Sequence, residues 1–438
     1  MGWRWYIFTS FISFYSDWMS EQLTPPSAKK SPYEALKYPQ FVAYMFANSF
    51  ITMALLIQEV LLGYEMYKVT HDPMALGLIG LAEALPYISL ALFGGHLADL
   101  YNKKTILLLS LSVIILSSVI LVWATHSTTQ LPQHNLLPII YGVIFLIGLA
   151  KGFYSPASSS LNPFLIPKEV FANATTWASS FWQAGAILGP GLAGFMYAYW
   201  GLTNSLWFVV ALLCTELLLI STITAPPIPE KVEEKVNIFQ SLKEGIAFVF
   251  KTKIILYSIS LDLFSVLFGG VIALLPIYAE DILKVGAEGL GILRAAPSIG
   301  AILTMFMMVY FPPLKHAWRN LLLAVGGFGL ATLIFAVSTN LWISVIALFF
   351  TGAFDSVSVI VRQTVLRYWT PDEMRGRVSA VNGIFVSSSN EIGAFESGVL
   401  AKLMGTVPSV IFGGTMTMII VSIVWIRSKE LFKMKVTD

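Results

Sequence analysis

Eleven ionisable side chains sit inside otherwise apolar stretches: Glu59, Glu65, Glu83, Lys151, Glu216, Asp262, Arg294, Asp355, Arg362, Glu391 and Glu396. If those stretches lie in hydrocarbon, each charge costs about 2.5–3.5 kcal/mol on insertion scales, so it must face a cavity or a partner. Three kinds of chemistry are open to such groups: proton uptake by crowded acids, charge pairing, and recognition of an ionic solute. Counting about 1.5 Å per residue sorts the groups by depth. Glu59 and Glu83 fall at one level, where two acids sharing a site raise one pKa and make a proton carrier. Arg294 falls level with Glu396 and near Glu391, an expected neutralising pair. Asp355 and Arg362 are spaced i, i+7 on one helix face, with Asp262 expected beside them. Glu65 and Arg362 are alternatively interfacial side chains, and Glu216 a peripheral one. Lys151, in Gly148-Leu149-Ala150-Lys151-Gly152-Phe153, either pairs with an acid or binds an anionic solute. We expect at least one of Glu59, Glu83, Asp262, Asp355 and Glu391 to couple to protons.

The elements that carry these charges are membrane spans. Of 438 residues, 56% are hydrophobic and 12% charged, and mean hydropathy is +0.74. Soluble domains carry about 25% charged residues, so a cytosolic globular enzyme is excluded. A lone cysteine, Cys214, excludes a disulfide framework, and a net charge of +2 leaves no nucleic-acid footprint. Twelve runs of spanning length are expected, near 40–67, 76–98, 104–124, 136–157, 173–199, 204–224, 254–279, 288–311, 320–338, 341–366, 376–402 and 408–426. The polar stretch 225–252, opening Ala225-Pro226-Pro227-Ile228-Pro229-Glu230, divides them into two halves of six. The expected organisation is an all-α polytopic protein: an aromatic-rich N-terminal extension (1–38), a six-helix bundle (39–224), a linker (225–252), a second six-helix bundle (253–427) and a tail (428–438). With the N-terminus inside, most of the 27 Lys and Arg residues fall on cytoplasmic segments, so both termini are expected there. The extension, with Trp3, Trp5, Phe8, Phe11 and Trp18, lacks the core of a signal peptide and is expected to be an interfacial helix on the cytoplasmic leaflet, with a disordered leader as the alternative.

The loop between the second and third spans reads Gly94-Gly95-His96-Leu97-Ala98-Asp99-Leu100-Tyr101-Asn102-Lys103-Lys104. Its Gly four residues before an Asp, with a basic pair four and five after, resembles the signature loop of the major facilitator superfamily. The resemblance implies a conformational latch: Gly95 lets two helices approach, Asp99 accepts hydrogen bonds from a helix N-terminus, and Lys103 or Lys104 pairs with that carboxylate or with lipid phosphate. Leu100 stands where an Arg is common, which thins the charge network. The equivalent loop of the second half, 311–319, keeps Lys315 and Arg319 but has no Asp.

The fifth span carries Gly185, Gly189, Pro190, Gly191 and Gly194. Gly185 and Gly189 lie on one face as small-xxx-small packing requires, and Pro190 removes a backbone bond. This run resembles the motif of exporters that exchange against protons. Further stretches, above all Pro371-Asp372-Glu373-Met374-Arg375-Gly376-Arg377 continued by Ser389-Asn390-Glu391 and Phe395-Glu396-Ser397-Gly398, are similar to the branch holding the enterobactin (siderophore) exporter and drug–proton antiporters. Asp372, Arg375, Gly376 and Arg377 then form its cytoplasmic loop motif.

No Gly-x-x-x-x-Gly-Lys-Ser/Thr loop is present, so ATP is not the expected energy source, and no His/Cys cluster has metal-ligand spacing. No cofactor is expected. The expected activity is export of a small organic molecule from the cytoplasm in exchange for protons, by alternating access of two bundles in a bacterial inner membrane. The chain is expected to act as a monomer. A siderophore is the favoured substrate; multidrug or macrolide efflux and, third, proton-coupled uptake are the alternatives.

Overall fold

The computed structural model describes residues 33–126, 133–224, 238–311, 313, 315–371 and 374–433. Most of the expected N-terminal extension and half of the linker therefore lie outside the described residues, as does Asp372. Thirteen α-helices are described: α1 (Pro39–Thr70), α2 (Pro73–Leu100), α3 (Lys103–Thr125), α4 (Gln133–Leu161), α5 (Phe171–Thr222), α6 (Ile238–Lys251), α7 (Lys253–Phe268), α8 (Val271–Ile277), α9 (Gly286–Tyr310), α10 (Ala317–Val337), α11 (Leu341–Trp369), α12 (Arg375–Met404) and α13 (Thr406–Arg427). A π-helical turn, Tyr278–Ile282, follows α8.

Local chemistry sets the turns. Pro39 and Pro73 open their helices at positions whose N–H has no helical partner anyway. Asp72, Asn102 and Asn340 cap the next helix with a side-chain oxygen, Asp72 accepting from the Met74 N–H at 3.0 Å and Asn102 from the Lys104 N–H at 3.0 Å. These caps let successive long helices reverse direction within two or three residues.

Among the described residues, ten helices are long and apolar enough to cross a membrane. The number differs from twelve for two physical reasons. The expected fifth and sixth runs are both present within α5: the chain leaves helical geometry at Gly201, where φ is +73°, so that the part before it follows α1 and the part after it returns along α3, with Thr203 beside Thr125 and Ser221 beside Lys104. The eleventh run, α12, carries Arg375, Arg377, Asn382, Asn390, Glu391 and Glu396, and is too polar to qualify although it is 30 residues long. The ten spans are apolar around most of their circumference. Each buries one side in protein and presents residues such as Leu109 (65% exposed), Leu116 and Leu218 outward, as a lipid-facing surface does.

Helix packing repeats. In the first set α1 packs on α5, α2 on α4, and α3 on α4 and the last part of α5. In the second set α7 packs on α12, α9 on α11, and α10 on α11 and α13. The two sets meet along two seams, α2 with α12 and α5 with α9. Small residues make these seams close: a Cβ on Gly77 would lie 3.0 Å from the Phe395 carbonyl oxygen, and one on Gly194 would lie 2.6 Å from the Gly291 nitrogen.

Candidate functional site

Where α1, α2 and α4 converge they enclose a cavity walled by Leu55, Leu62, Ile79, Ile144 and Ile147, with Gln58, Glu59, Glu83 and Lys151 as its polar groups. Lys151 on α4 and Glu83 on α2 form an ion pair. Arg294 on α9 reaches across from the second set, its Nη1 donating to Glu59 Oε1 at 3.0 Å. Arg294 is buried, and its Nε has no hydrogen-bond partner. Glu391 on α12 also comes from the second set. Its carboxylate packs on Gly80, where a Cβ would sit 3.4 Å from Oε2, and lies in electrostatic range of Glu83, Lys151 and Glu59. No cation among the described residues forms an ion pair with Glu391. The cluster thus holds three acids against two cations, with groups supplied by both sets.

This arrangement revises the depth-matched pairings. Glu59 and Glu83 line one cavity, but each meets its own cation, so they are not two acids left to share a proton. Arg294 pairs with Glu59 and with neither Glu396 nor Glu391. The azimuth of each helix selects the partner: Arg294 lies on α9 at the seam with α5 and reaches Glu59 of α1, whereas Glu396 lies on α12 at the other seam. Lys151 takes the acid-pairing alternative.

A second charge pair sits wholly in the second set. Arg362 on α11 pairs with Asp262 on α7, the two side chains 4% and 6% exposed. Asp355 is not its partner, because an i, i+7 spacing separates two residues by about 10.5 Å along the axis. Arg362 is not an interfacial, snorkelling residue either. Glu216 is not peripheral: it is fully buried, accepts from the Tyr154 hydroxyl at 2.6 Å, and leaves Oε2 without a partner. Glu65 is held by the Tyr197 hydroxyl at 2.6 Å. Composition offered no signal for these tyrosine partners, since the contacting residues are about 60 and 130 positions apart.

The loop after α2 differs in detail from expectation. A Cβ on Gly95 would meet nothing within 4 Å, whereas Gly94 presses against the Gly152 carbonyl of α4. The adjacent glycine, about 100° around the helix, is the one that faces α4. Lys104 donates to the Ser221 carbonyl at 2.6 Å, in the last turn of α5 where a cation offsets the helix dipole. Lys103 is buried with its ammonium 5.2 Å from the Phe164 ring centroid. The side chain of Asp99 lies outside the described residues. Gly185 and Gly189 pack α5 onto α1, where Cβ atoms would lie 2.6 Å from the Ser49 oxygen and 3.0 Å from the Met53 oxygen. Pro190 stays inside continuous helix. Arg377 donates to Glu244 of α6 at 2.5 Å, tying the start of α12 to the linker helix; Arg375, two residues earlier, is exposed, and the surroundings of Gly376 lie outside the description.

Among the aromatic residues of these helices, Trp182 is 47% exposed, and Phe264 is 38% exposed and stacked on Phe268. Trp177 and Phe181 pack against one another, and Phe181 also meets Phe46 edge-on at 4.8 Å.

Comparison with known proteins agrees with this architecture. The family profile described as transmembrane secretion effector matches residues 30–438. The chain is 26% identical over 389 residues to the enterobactin exporter EntS of Salmonella choleraesuis (strain SC-B67), covering 86% of this chain and 89% of that one. It is 24% identical over 383 residues to EntS of Escherichia coli O1:K1 / APEC, covering 85% and 88%. Among solved structures, a mutant of the nucleoside transporter NupG superposes with a TM-score of 0.73 at 11% identity, covering 89% of this chain and 100% of that one. A bacterial homologue of the human lysosomal transporter Spinster, inward-facing and unoccupied, superposes with a TM-score of 0.67 at 15% identity, covering 92% and 97%. A helical architecture of paired seams, charges buried among the helices, and a profile spanning nearly the whole chain converge: the protein is a multi-span membrane transporter of the major facilitator superfamily, belonging to the transmembrane secretion effector family.

Proposed function

We propose that this protein exports a small organic molecule, a siderophore in the favoured reading, from the cytoplasm in exchange for protons. The observation that carries the reading is the cluster of Glu59, Glu83, Glu391, Lys151 and Arg294, in which both helix sets contribute and one carboxylate exceeds the cations. A surplus acid at a junction between two bodies is a place for a proton that is held in one arrangement and released in another. Glu391 is the group we assign to that role. Lys151 and Glu83 keep the pocket wall neutral, and the Arg294–Glu59 pair breaks and re-forms as the bodies rock. The bodies are residues 39–224 and 253–427, moving by alternating access with both termini in the cytoplasm of a bacterial inner-membrane protein. Asp99 with Lys104, and the Asp372–Arg377 loop, act as latches on the cytoplasmic side. Similarity to enterobactin exporters supports the direction and the substrate class.

Two measurements test it. A deletion strain grown under iron limitation should lose an iron chelator from its medium; altered drug sensitivity with unchanged chelator would replace the siderophore by a drug. In proteoliposomes, Glu391→Gln should leave solute exchange measurable but remove its acceleration by a pH gradient. Retained acceleration would take the proton role away from Glu391.

A further inference from the structure

Outside the buried charge cluster, most polar contacts between the two helix sets among the described residues are gathered at one end of the molecule, the end where α1 turns into α2. There Tyr64 donates to Glu280 at 2.6 Å and Tyr67 donates to Asp281. Lys402 meets Asp72 at 2.7 Å, and Tyr199 hydrogen-bonds Glu288. Toward the opposite end the Gln183 amide donates to the Met305 sulfur across the sets at 3.5 Å, whereas Lys104 to Ser221 and Arg377 to Glu244 bond within one set.

We infer that Tyr64 and Tyr67 are gating residues: their hydrogen bonds to the consecutive carboxylates of Glu280 and Asp281 hold this end shut. The two tyrosines are one turn apart on α1 and buried, so they present two donors on one face. Consecutive residues of an α-helix diverge by about 100°, which would aim only one carboxylate at α1. The π-helical turn Tyr278–Ile282, closed by the Leu283 N–H to Tyr278 carbonyl bond at 2.8 Å, supplies the departure that lets both engage. That turn is anchored to its own set, because the Tyr278 hydroxyl donates to the Ala336 carbonyl at 3.1 Å and its ring packs on Phe335. The tyrosines therefore join a turn fixed to one body to a helix fixed to the other. A phenol–carboxylate bond suits a gate. Its acceptor is charged, which strengthens it, yet on opening water can replace either partner without stranding a buried cation. The inference rests on the alternating-access reading proposed above.

Its test reads conformation without substrate or a proton gradient, so it stands or falls apart from the identity of substrate and proton carrier. In a Cys214→Ser background, spin labels at Asn204→Cys and Lys284→Cys report the closed end, and labels at Thr105→Cys and Tyr368→Cys report the other. Tyr64→Phe/Tyr67→Phe keeps both rings and removes only the donors. Double electron–electron resonance in nanodiscs should show the ratio of open to shut at the 204–284 end rising at least about tenfold, with the 105–368 distance shortening. Glu280→Gln/Asp281→Asn should move the same equilibrium in the same direction. A 204–284 distribution for the phenylalanine variant that superimposes on wild type overturns the inference, as does a shift produced by the amide variant alone.

Discussion

Arg362 and Asp262 offer the sharpest quantitative test of how charges are carried within these helices. The two side chains are 4% and 6% exposed and pair across α11 and α7. Asp262→Asn removes the negative charge while keeping the volume, which strands a guanidinium whose Nε already lacks a partner. Breaking a buried pair from one side costs about 3–5 kcal/mol, because the remaining ion keeps its desolvation penalty. At about 2–4 °C per kcal/mol for a large chain, thermal unfolding in detergent should fall by about 6–20 °C. Arg362→Leu/Asp262→Leu removes both charges and should recover most of that loss, since a pair replaced by apolar groups of similar volume is close to neutral. The assay is a thermal shift followed by loss of the monodisperse peak in size-exclusion chromatography. A fall of less than about 2 °C in Asp262→Asn, or a double variant no better than the single, would mean that water reaches the pair and that burial does not set its energetics.

Three further outcomes are expected. Lys151→Ala should lower stability more than Lys151→Ala/Glu83→Gln, because the single change leaves Glu83 unpaired against the apolar wall of the cavity; equal losses in thermal shift would contradict the pairing. Gly94→Ala should destabilise by about 1–3 kcal/mol by pushing α2 away from the Gly152 carbonyl, whereas Gly95→Ala should be neutral in the same assay, since open space surrounds that position. The Asp72–Lys402 contact should be indifferent to pH through the neutral range. The Lys402 ammonium beside Asp72 holds its carboxyl below the ordinary carboxylate range. A depressed acid contributes fully above its unfolded value of about 3.9 and loses that contribution as pH falls through the lower folded value. Asp72→Asn should thus leave the pH dependence of the 204–284 spin-label distance between pH 8 and 5 as it is in otherwise native protein, and a changed dependence would refute the assignment.

Much of this protein was legible without coordinates. Runs of about 20 apolar residues can only be helices in lipid, because no other single-chain element satisfies its own backbone there, so fold class followed from composition and period. The glycine run from Gly185 to Gly194 and the loop around Asp99 carried the resemblance to the superfamily, and the buried ionisable residues were identifiable as a set because hydrocarbon makes any charge conspicuous. Gly201 divides α5 into the two expected spans, and α12 falls short of an apolar span because it carries Arg375, Arg377, Glu391 and Glu396.

Partnership was the part that only tertiary structure decided. Sequence reports how deep a residue lies along its helix, since rise per residue is constant, but an azimuth acquires meaning only once neighbours are placed around it. Arg294 was therefore matched by depth to Glu396 and found Glu59, and Asp355 was matched to Arg362 although Asp262 on α7 holds it. The same reason explains Gly94 in place of Gly95, one helical step apart yet facing different surroundings. The tyrosine–carboxylate bonds of the closed end were invisible for a further reason. They join residues more than 200 positions apart, and one partner depends on a π-helical turn that no local pattern of residue types announced.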